Sequence, residues 1–297
     1  MYEAYFHFRS KPFAMSPDPA FLYQSSQHAA AATMLEYAIE SQAPFCLLTG
    51  EIGSGKTTLL RHFLRTLGEK TTVGLISNTH GRFHSIHPWA LSALGIVPAD
   101  DSEIAHYEAL IDFFVREYGR GRRTLLVFDE AHNLSPLILE ELRLLSNVNS
   151  ESDLALQVLL VGQPELRTKL SSPELEQFAQ RVSVDFHLGP LTLDDTRSYI
   201  QHRLTVAGGE SSLFHAEAIE FIHARTRGIP RLINQLCDLA LLYAYAEQHP
   251  NVDLNLLEHV LVDRQQRGAM PLFAARAAAS GVPAALALNA GVTSERG

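Results

Sequence analysis

Cysteine is nearly absent, with two in 297 residues. Cys46 sits in an apolar run and Cys237 in a helical pattern, too few and too far apart for a disulfide framework. Both read as small buried hydrophobes in a reducing, cytoplasmic setting. The chain also lacks an apolar run long enough to cross a bilayer. Its opening, Met1-Tyr2-Glu3-Ala4-Tyr5-Phe6-His7, lacks the basic-then-apolar order of a signal peptide. Positive charge is in deficit: 24 Lys and Arg against 33 Asp and Glu leave a net −9, which argues against coating nucleic acid by bulk electrostatics. A local basic patch remains at Arg116, Arg120, Arg122 and Arg123, either a solvated helix end or a contact for nucleic acid or an acidic partner. His80, His84 and His87 are spaced like metal ligands, but no Cys or acidic partner accompanies them, so they read as a solvated or locally hydrogen-bonded cluster.

What is present is decisive at one place. Gly50-Glu51-Ile52-Gly53-Ser54-Gly55-Lys56-Thr57 is a complete G-x-x-x-x-G-K-[ST] loop. It follows Phe45-Cys46-Leu47-Leu48-Thr49, an apolar run of strand length. It precedes Leu59, Leu60, Phe63, Leu64 and Leu67, which repeat at helical spacing. The glycines let the backbone curl so that its N–H groups face phosphate oxygens, and the helix N-terminus adds partial positive charge. Lys56 is placed to reach the β- and γ-phosphates, and the Thr57 hydroxyl to take one Mg²⁺ position. Residues Gly50 through Thr57, with Thr58 behind them, are the nucleotide-binding candidates, and the implied ligands are ATP and Mg²⁺.

A second buried run, Thr124-Leu125-Leu126-Val127-Phe128, ends in Asp129-Glu130. In that position Asp129 supports Mg²⁺ and Glu130 orients or deprotonates the attacking water. Asp129-Glu130-Ala131-His132 also spells a helicase signature, but the chain is too short for two tandem motor domains. After it, Ser135 as N-cap and Pro136 as first helical residue open a helix with Ile138, Leu142 and Leu145 on one face. His132 therefore reads as a loop residue near the site.

Runs at 72–77, 156–161 and 182–186 supply three more strands, with helical patterns between them, which predicts a parallel five-stranded sheet covered on both faces. The fourth strand runs into Gly162-Gln163-Pro164. Gln163 is the candidate to sense the γ-phosphate at the carboxyl edge of the sheet, the alternative being a turn with no catalytic part. From Leu191 the pattern becomes wholly helical. Thr192 to Asp195 fits a capping box, a helix spans Ala216 to Thr226, Gly228 closes it, and Pro230 opens the next. Arg231 then sits in a first turn, where a cation opposes the helix dipole. It is either aimed at a phosphate or solvated.

In this order, the phosphate loop, the acidic pair, Leu160-Val161-Gly162-Gln163-Pro164-Glu165-Leu166, Gln180-Arg181-Val182 and Gly228-Ile229-Pro230-Arg231-Leu232-Ile233-Asn234 resemble the AAA+ ATPases of the general secretion pathway protein A family. Pro12-Phe13, Pro17-Asp18-Pro19 and Phe21-Leu22-Tyr23 resemble its opening, and the likeness runs from residue 1 to about 265. The resemblance implies a P-loop NTPase with an AAA+ core and a C-terminal helical lid. It places an N-terminal aromatic segment and helix on the core at 1–43, the ATPase core at 44–190 and the lid at 191–265. The Ala-rich stretch at 266–297 reads as disordered, with room for a short helix.

The same resemblance gives Arg181 the role of an arginine finger reaching a neighbouring subunit's γ-phosphate, a structural arginine being the alternative. It makes Arg231 the second sensor and puts the aromatic segment with Tyr23 near the base, a hydrophobic clasp on the sheet being the alternative. It implies a homo-oligomer, hexamer or filament, with shared sites. Longer family members continue into a membrane segment and a peptidoglycan-binding domain, neither of which is read here. Two functions stay open. One is a cytoplasmic ATPase that works on envelope, secretion or pilus proteins. The other is a regulator that assembles on duplex DNA with a transposase, like the ATP-dependent partners of transposases.

Overall fold

The computed structural model describes residues 1–15, 19–77, 84–149 and 154–266. Strands β1 (Phe45–Gly50), β2 (Thr71–Ile76), β3 (Arg123–Phe128), β4 (Leu156–Gly162) and β5 (Val182–Leu188) form one parallel sheet in the order β2-β3-β4-β1-β5. Each lies where the apolar runs predicted it. Around it, α1 (Tyr2–Tyr5) and α2 (Ser26–Glu40) precede β1, and α3 (Lys56–Thr66) joins β1 to β2. Helices α4 (His87–Leu94) and α5 (Glu103–Gly119) follow β2, α6 (Pro136–Leu145) follows β3, and α7 (Glu165–Leu170) and α8 (Glu176–Ala179) follow β4. The chain then runs through α9 (Leu193–Val206), α10 (Ala216–Thr226), α11 (Pro230–Ala246) and α12 (Leu254–Gln266).

Alternation along the central strands sorts side chains into two cores. Phe45, Leu47, Leu126, Phe128, Val158 and Leu160 face α4, α5, α6 and α7. Cys46, Leu48, Leu125, Val127, Leu159 and Val161 face α2 and α3. Burial on both sides explains why β1 and β4 are buried along their whole length, whereas the edge strands β2 and β5 are mixed. Both cysteines are buried and unpaired, and burial pushes the Cys46 thiol up to about 12.

A third core belongs to α9 through α12. The N-terminal aromatics Tyr2, Phe6, Phe8, Phe13 and Phe21 pack into this helical core rather than onto the sheet. Within the N-terminal segment α2 reaches the sheet, through Ala31, Leu35 and Ala38, and Ala43 after it joins the same core. The cause is a complementary anchor. Arg203 on α9 is 7% exposed and donates through Nε to the Pro12 carbonyl at 2.5 Å and through Nη2 to the Ala14 carbonyl at 3.3 Å, which draws the N-terminal segment onto the C-terminal helices. Its guanidinium also lies over the Phe21 ring, 4.9 Å from the centroid.

Among the described residues no helix is long and apolar enough to cross a membrane. No group of three His, Cys, Asp or Glu there could hold a metal. His80 of the histidine cluster, Pro17 and Asp18 of the opening motif, and 267–297 of the Ala-rich stretch lie outside the described residues. His87 packs its ring against Tyr107. The basic patch is partly neutralised, since Arg120 and Arg122 both bond to the buried Glu117.

Candidate nucleotide site

Three strands end side by side. Register pairs Thr49 of β1 with Gly162 of β4, and Phe128 of β3 with Leu160 of β4. The loop after β1, the acidic pair after β3 and Gln163 after β4 therefore meet at the carboxyl edge of the sheet, where open α/β sheets bind ligands. Gly53 and Gly55 take left-handed φ of 80° and 102°, conformations that side chains disfavour. Behind them the loop is tightly backed: a Cβ at Gly50 would lie 2.5 Å from the Leu188 carbonyl oxygen.

Lys56 is 7% exposed and folds back to donate to the Gly50 and Glu51 carbonyls at 2.7 and 2.9 Å. Burial lowers its pKa against the pull of Glu130 and Asp129. Ser54 is buried, and its Oγ has no hydrogen-bond partner among the described residues. Thr57 Oγ1 donates to Asp129 Oδ2 at 3.0 Å. Burial raises the Asp129 carboxyl, with the Thr57 hydrogen bond opposing the shift. Glu130 is a non-glycine residue at φ 56°, in the left-handed region, and such strain collects at functional sites. His132 follows in a 3₁₀ turn, with its Nδ1 3.4 Å from Glu130 Oε2 and its Nε2 2.8 Å from Gln163 Nε2.

These groups open onto a cleft of about 380 Å³, lined by Ile52, Gly53, Gly55, Lys56, Thr57, Thr58, Glu130, Gln163 and Arg231 among others. Gly50, Glu51 and Ser54 shape the loop from behind. The lid closes the far wall. Arg231 N donates to the Gly53 carbonyl at 3.2 Å, and a Cβ on Gly53 would lie 2.4 Å from Arg231 Cβ. The start of α11 is thus seated on the phosphate loop.

Tyr23 also lines the cleft, stacked edge-on to Tyr199. Arg181 is not brought to this cleft. It precedes β5 at the amino edge of the parallel sheet, beside Phe45 at the start of β1. Its guanidinium bonds to the Arg143 carbonyl at 3.1 Å, Ser146 Oγ at 2.6 Å and Asn147 Oδ1 at 2.9 Å.

Among the lining residues that sequence reading missed are His28, Tyr199 and Arg203. His28 on α2 bonds to Ser25 Oγ through Nδ1 at 2.8 Å and meets the Ser54 carbonyl through Nε2 at 3.2 Å. Tyr199 and Arg203, one turn apart on α9, form the wall beside Asn234. None carries a local motif. The only available signal was the helical spacing of Tyr199 and Arg203, and spacing does not say which face meets a ligand.

The AAA domain family matches residues 39–170. The chain is 37% identical over 247 residues to general secretion pathway protein A of Aeromonas hydrophila, in an alignment that takes in 83% of this chain and 45% of that protein. The chain belongs to the general secretion pathway protein A family and carries an AAA domain. It spans less than half the length of that relative. Its fold is similar to the Aeropyrum pernix ORC2 protein solved as ADPNP-ADP complexes, with a TM-score of 0.61 at 15% identity over 87% of this chain and 72% of that one. The Aeropyrum pernix ORC1 protein solved in complex with DNA gives 0.60 at 18% identity over 86% and 69%.

The residues of the site fit the groups an AAA domain implies. A buried lysine and the partnerless Ser54 Oγ beside a left-handed glycine loop suit a polyphosphate. One hydroxyl and one carboxylate oxygen at Thr57 and Asp129 are hard donors. That set suits Mg²⁺, which keeps waters and shares ligands with phosphate.

Proposed function

We propose that this AAA+ ATPase hydrolyses ATP with Mg²⁺ and uses the cycle, as a homo-oligomer in the cytoplasm, to assemble or work an envelope, secretion or pilus machine. The observation that carries the chemistry is the meeting of Lys56, Thr57, Asp129, Glu130 and Gln163 at three adjacent strand ends. Relatedness to general secretion pathway protein A supports the machine.

Lys56 holds the β- and γ-phosphates in exchange for the two loop carbonyls it now contacts. Thr57 and Asp129 hold the metal, which supplies charge neutralisation at the phosphates. Glu130 takes the proton of the attacking water, and Gln163 orients that water. Arg231 reads the nucleotide from the lid, and the seating of α11 on Gly53 supports that coupling. Arg181 completes a neighbour's site, a role supported by its place on the edge of the sheet opposite the cleft of its own chain.

A DNA-targeting regulator of transposition is the competing role. Titration of the protein with duplex DNA over a salt series, with ATP turnover read in parallel, separates the two. The envelope reading predicts no DNA binding at low salt and no stimulation of turnover. Salt-sensitive binding with DNA-stimulated turnover would replace it with the DNA-targeting reading.

A further inference from the structure

The carbonyls of the phosphate loop are held from several sides. Gly50 and Glu51 accept from Lys56, Gly53 accepts from Arg231 N at the start of α11, and Gly55 accepts from Leu59 N in α3. Ser54 is held by a side chain from α2: its carbonyl accepts from His28 Nε2 at 3.2 Å. We infer that His28 is a positioning residue for the phosphate loop, fixing the Ser54–Gly55 peptide so that the Gly55 N–H faces the phosphate space. The inference rests on the ATPase reading of the site and adds to it a residue outside every motif that carries that reading.

The hydrogen-bond roles around the ring are mutually consistent. A carbonyl only accepts, so Nε2 carries the ring proton. Nδ1 of the neutral ring is then an acceptor, and the Ser25 hydroxyl, 2.8 Å away, donates to it. The same Ser25 Oγ accepts from His28 N at 3.3 Å, the N-cap bond of α2. A donor faces an acceptor at every contact. Burial lowers the pKa of the ring, against the opposing pull of the Ser54 carbonyl and Asp195, and so favours this neutral form. Ser25, His28 and Ser54 are 1%, 6% and 1% exposed, so a Ser54 carbonyl that lost the ring would be left unpaired away from solvent.

A trans peptide is planar, and its carbonyl and the following N–H point to opposite sides. Anchoring the Ser54 carbonyl on α2 therefore sets the direction of the Gly55 N–H, in a residue that lines the cleft just before Lys56. Gly55 makes the approach possible, since a Cβ there would lie 2.8 Å from His28 Nε2. The anchor itself is well held. Helix α2 packs Ala31, Leu35 and Ala38 into the core of the sheet. At its start, Gln24 Nε2 lies 3.1 Å from His62 Nε2 on α3, and Gln27 Nε2 donates to the Pro190 carbonyl at 3.5 Å. Two neighbouring loop carbonyls thus answer to different bodies: Gly53 to the lid through Arg231 N, and Ser54 to the sheet through His28.

The test compares His28→Ala, His28→Gln and His28→Asn in the full chain, each titrated with a fluorescent ATP analogue in Mg²⁺ and assayed for kcat and KM for Mg-ATP. A glutamine amide reaches as far as Nε2 and can donate to the Ser54 carbonyl. An asparagine amide reaches only as far as Nδ1, toward Ser25. A loop held less often in its binding form binds more weakly in proportion to that fraction. His28→Ala is expected to lower affinity roughly tenfold, the scale of a buried acceptor left unpaired, with kcat within about threefold. His28→Gln should recover most of the affinity, and His28→Asn should stay with His28→Ala.

A side chain that only capped α2 would give the reverse order, because asparagine keeps the Ser25 contact and glutamine does not. Affinity of His28→Ala within about twofold of wild type overturns the inference, as does a His28→Asn variant that binds as tightly as His28→Gln or more tightly. Should His28→Ala fail to fold, the glutamine and asparagine pair decides by the same criterion. Lys56→Ala in the same titration keeps the two readings apart. Wild-type binding that this variant abolishes leaves the nucleotide site standing whatever the His28 variants do, whereas no wild-type binding removes both.

Discussion

Gly53 meets two demands at once. Its φ of 80° is left-handed, and the space a Cβ would need is taken by Arg231 Cβ at 2.4 Å. Gly53→Ala therefore adds strain of about 1 kcal/mol and a clash that unseats α11 from the loop. Nucleotide affinity should fall by about tenfold or more, the equivalent of at least ~1.4 kcal/mol, and unchanged affinity in a titration would show that the lid does not rest on the loop. The phosphate-loop residues were legible because their chemistry demands fixed types at fixed spacing. His28, Tyr199 and Arg203 were not, since they reach the cleft from α2 and α9 by tertiary packing alone. His132 was visible as a letter beside the acidic pair, but its partner Gln163 lies 31 positions away in sequence, a distance no local pattern spans.

Among elements, α5 is pinned to the sheet by a carboxylate. Glu117, its side chain 4% exposed, accepts from Thr72 at 2.7 Å, from Arg122 at 2.7 Å and from Arg120 at 3.1 Å. The Arg122 hydrogen bond holds its carboxyl down at about 2, below the usual 4.5. A depressed folded-state pKa contributes stability that is present above the unfolded value and is lost as pH falls through the folded one. Glu117→Gln should thus cost about 1–3 kcal/mol near neutrality, a few degrees of Tm. The gap to wild type should close as pH falls from 4.5 toward 2. An equal gap across that range, measured by thermal melting, would contradict the anchor.

The strands and the helices α9 to α11 were readable because both periodicities are clean and their caps are explicit. Thr192 accepts from Asp195 N at 3.1 Å, and Pro230 opens α11. The destination of the N-terminal aromatics was not readable. Apolar residues announce that they will be buried, but not against which body, and here a buried arginine on α9 decided it.

For the whole molecule, the site within one chain is incomplete in the proposed cycle, because Arg181 lies on the edge of the sheet opposite its own cleft. Arg181→Ala should lose turnover while keeping nucleotide affinity. Mixing it with Glu130→Gln should restore part of the rate, since one interface then carries an intact glutamate and an intact arginine. A mixture as inactive as its components would leave Arg181 with its structural role, tying the start of β5 to the end of α6. The central claim is narrower than assembly: the acidic pair at the end of β3 performs ATP hydrolysis. Steady-state Mg-ATP turnover of the wild type beside Glu130→Gln, with nucleotide affinity measured on both, tests it most directly. The account predicts equal affinity within about twofold and a loss of turnover of roughly 100-fold or more for the variant, and turnover that survives the substitution would contradict it.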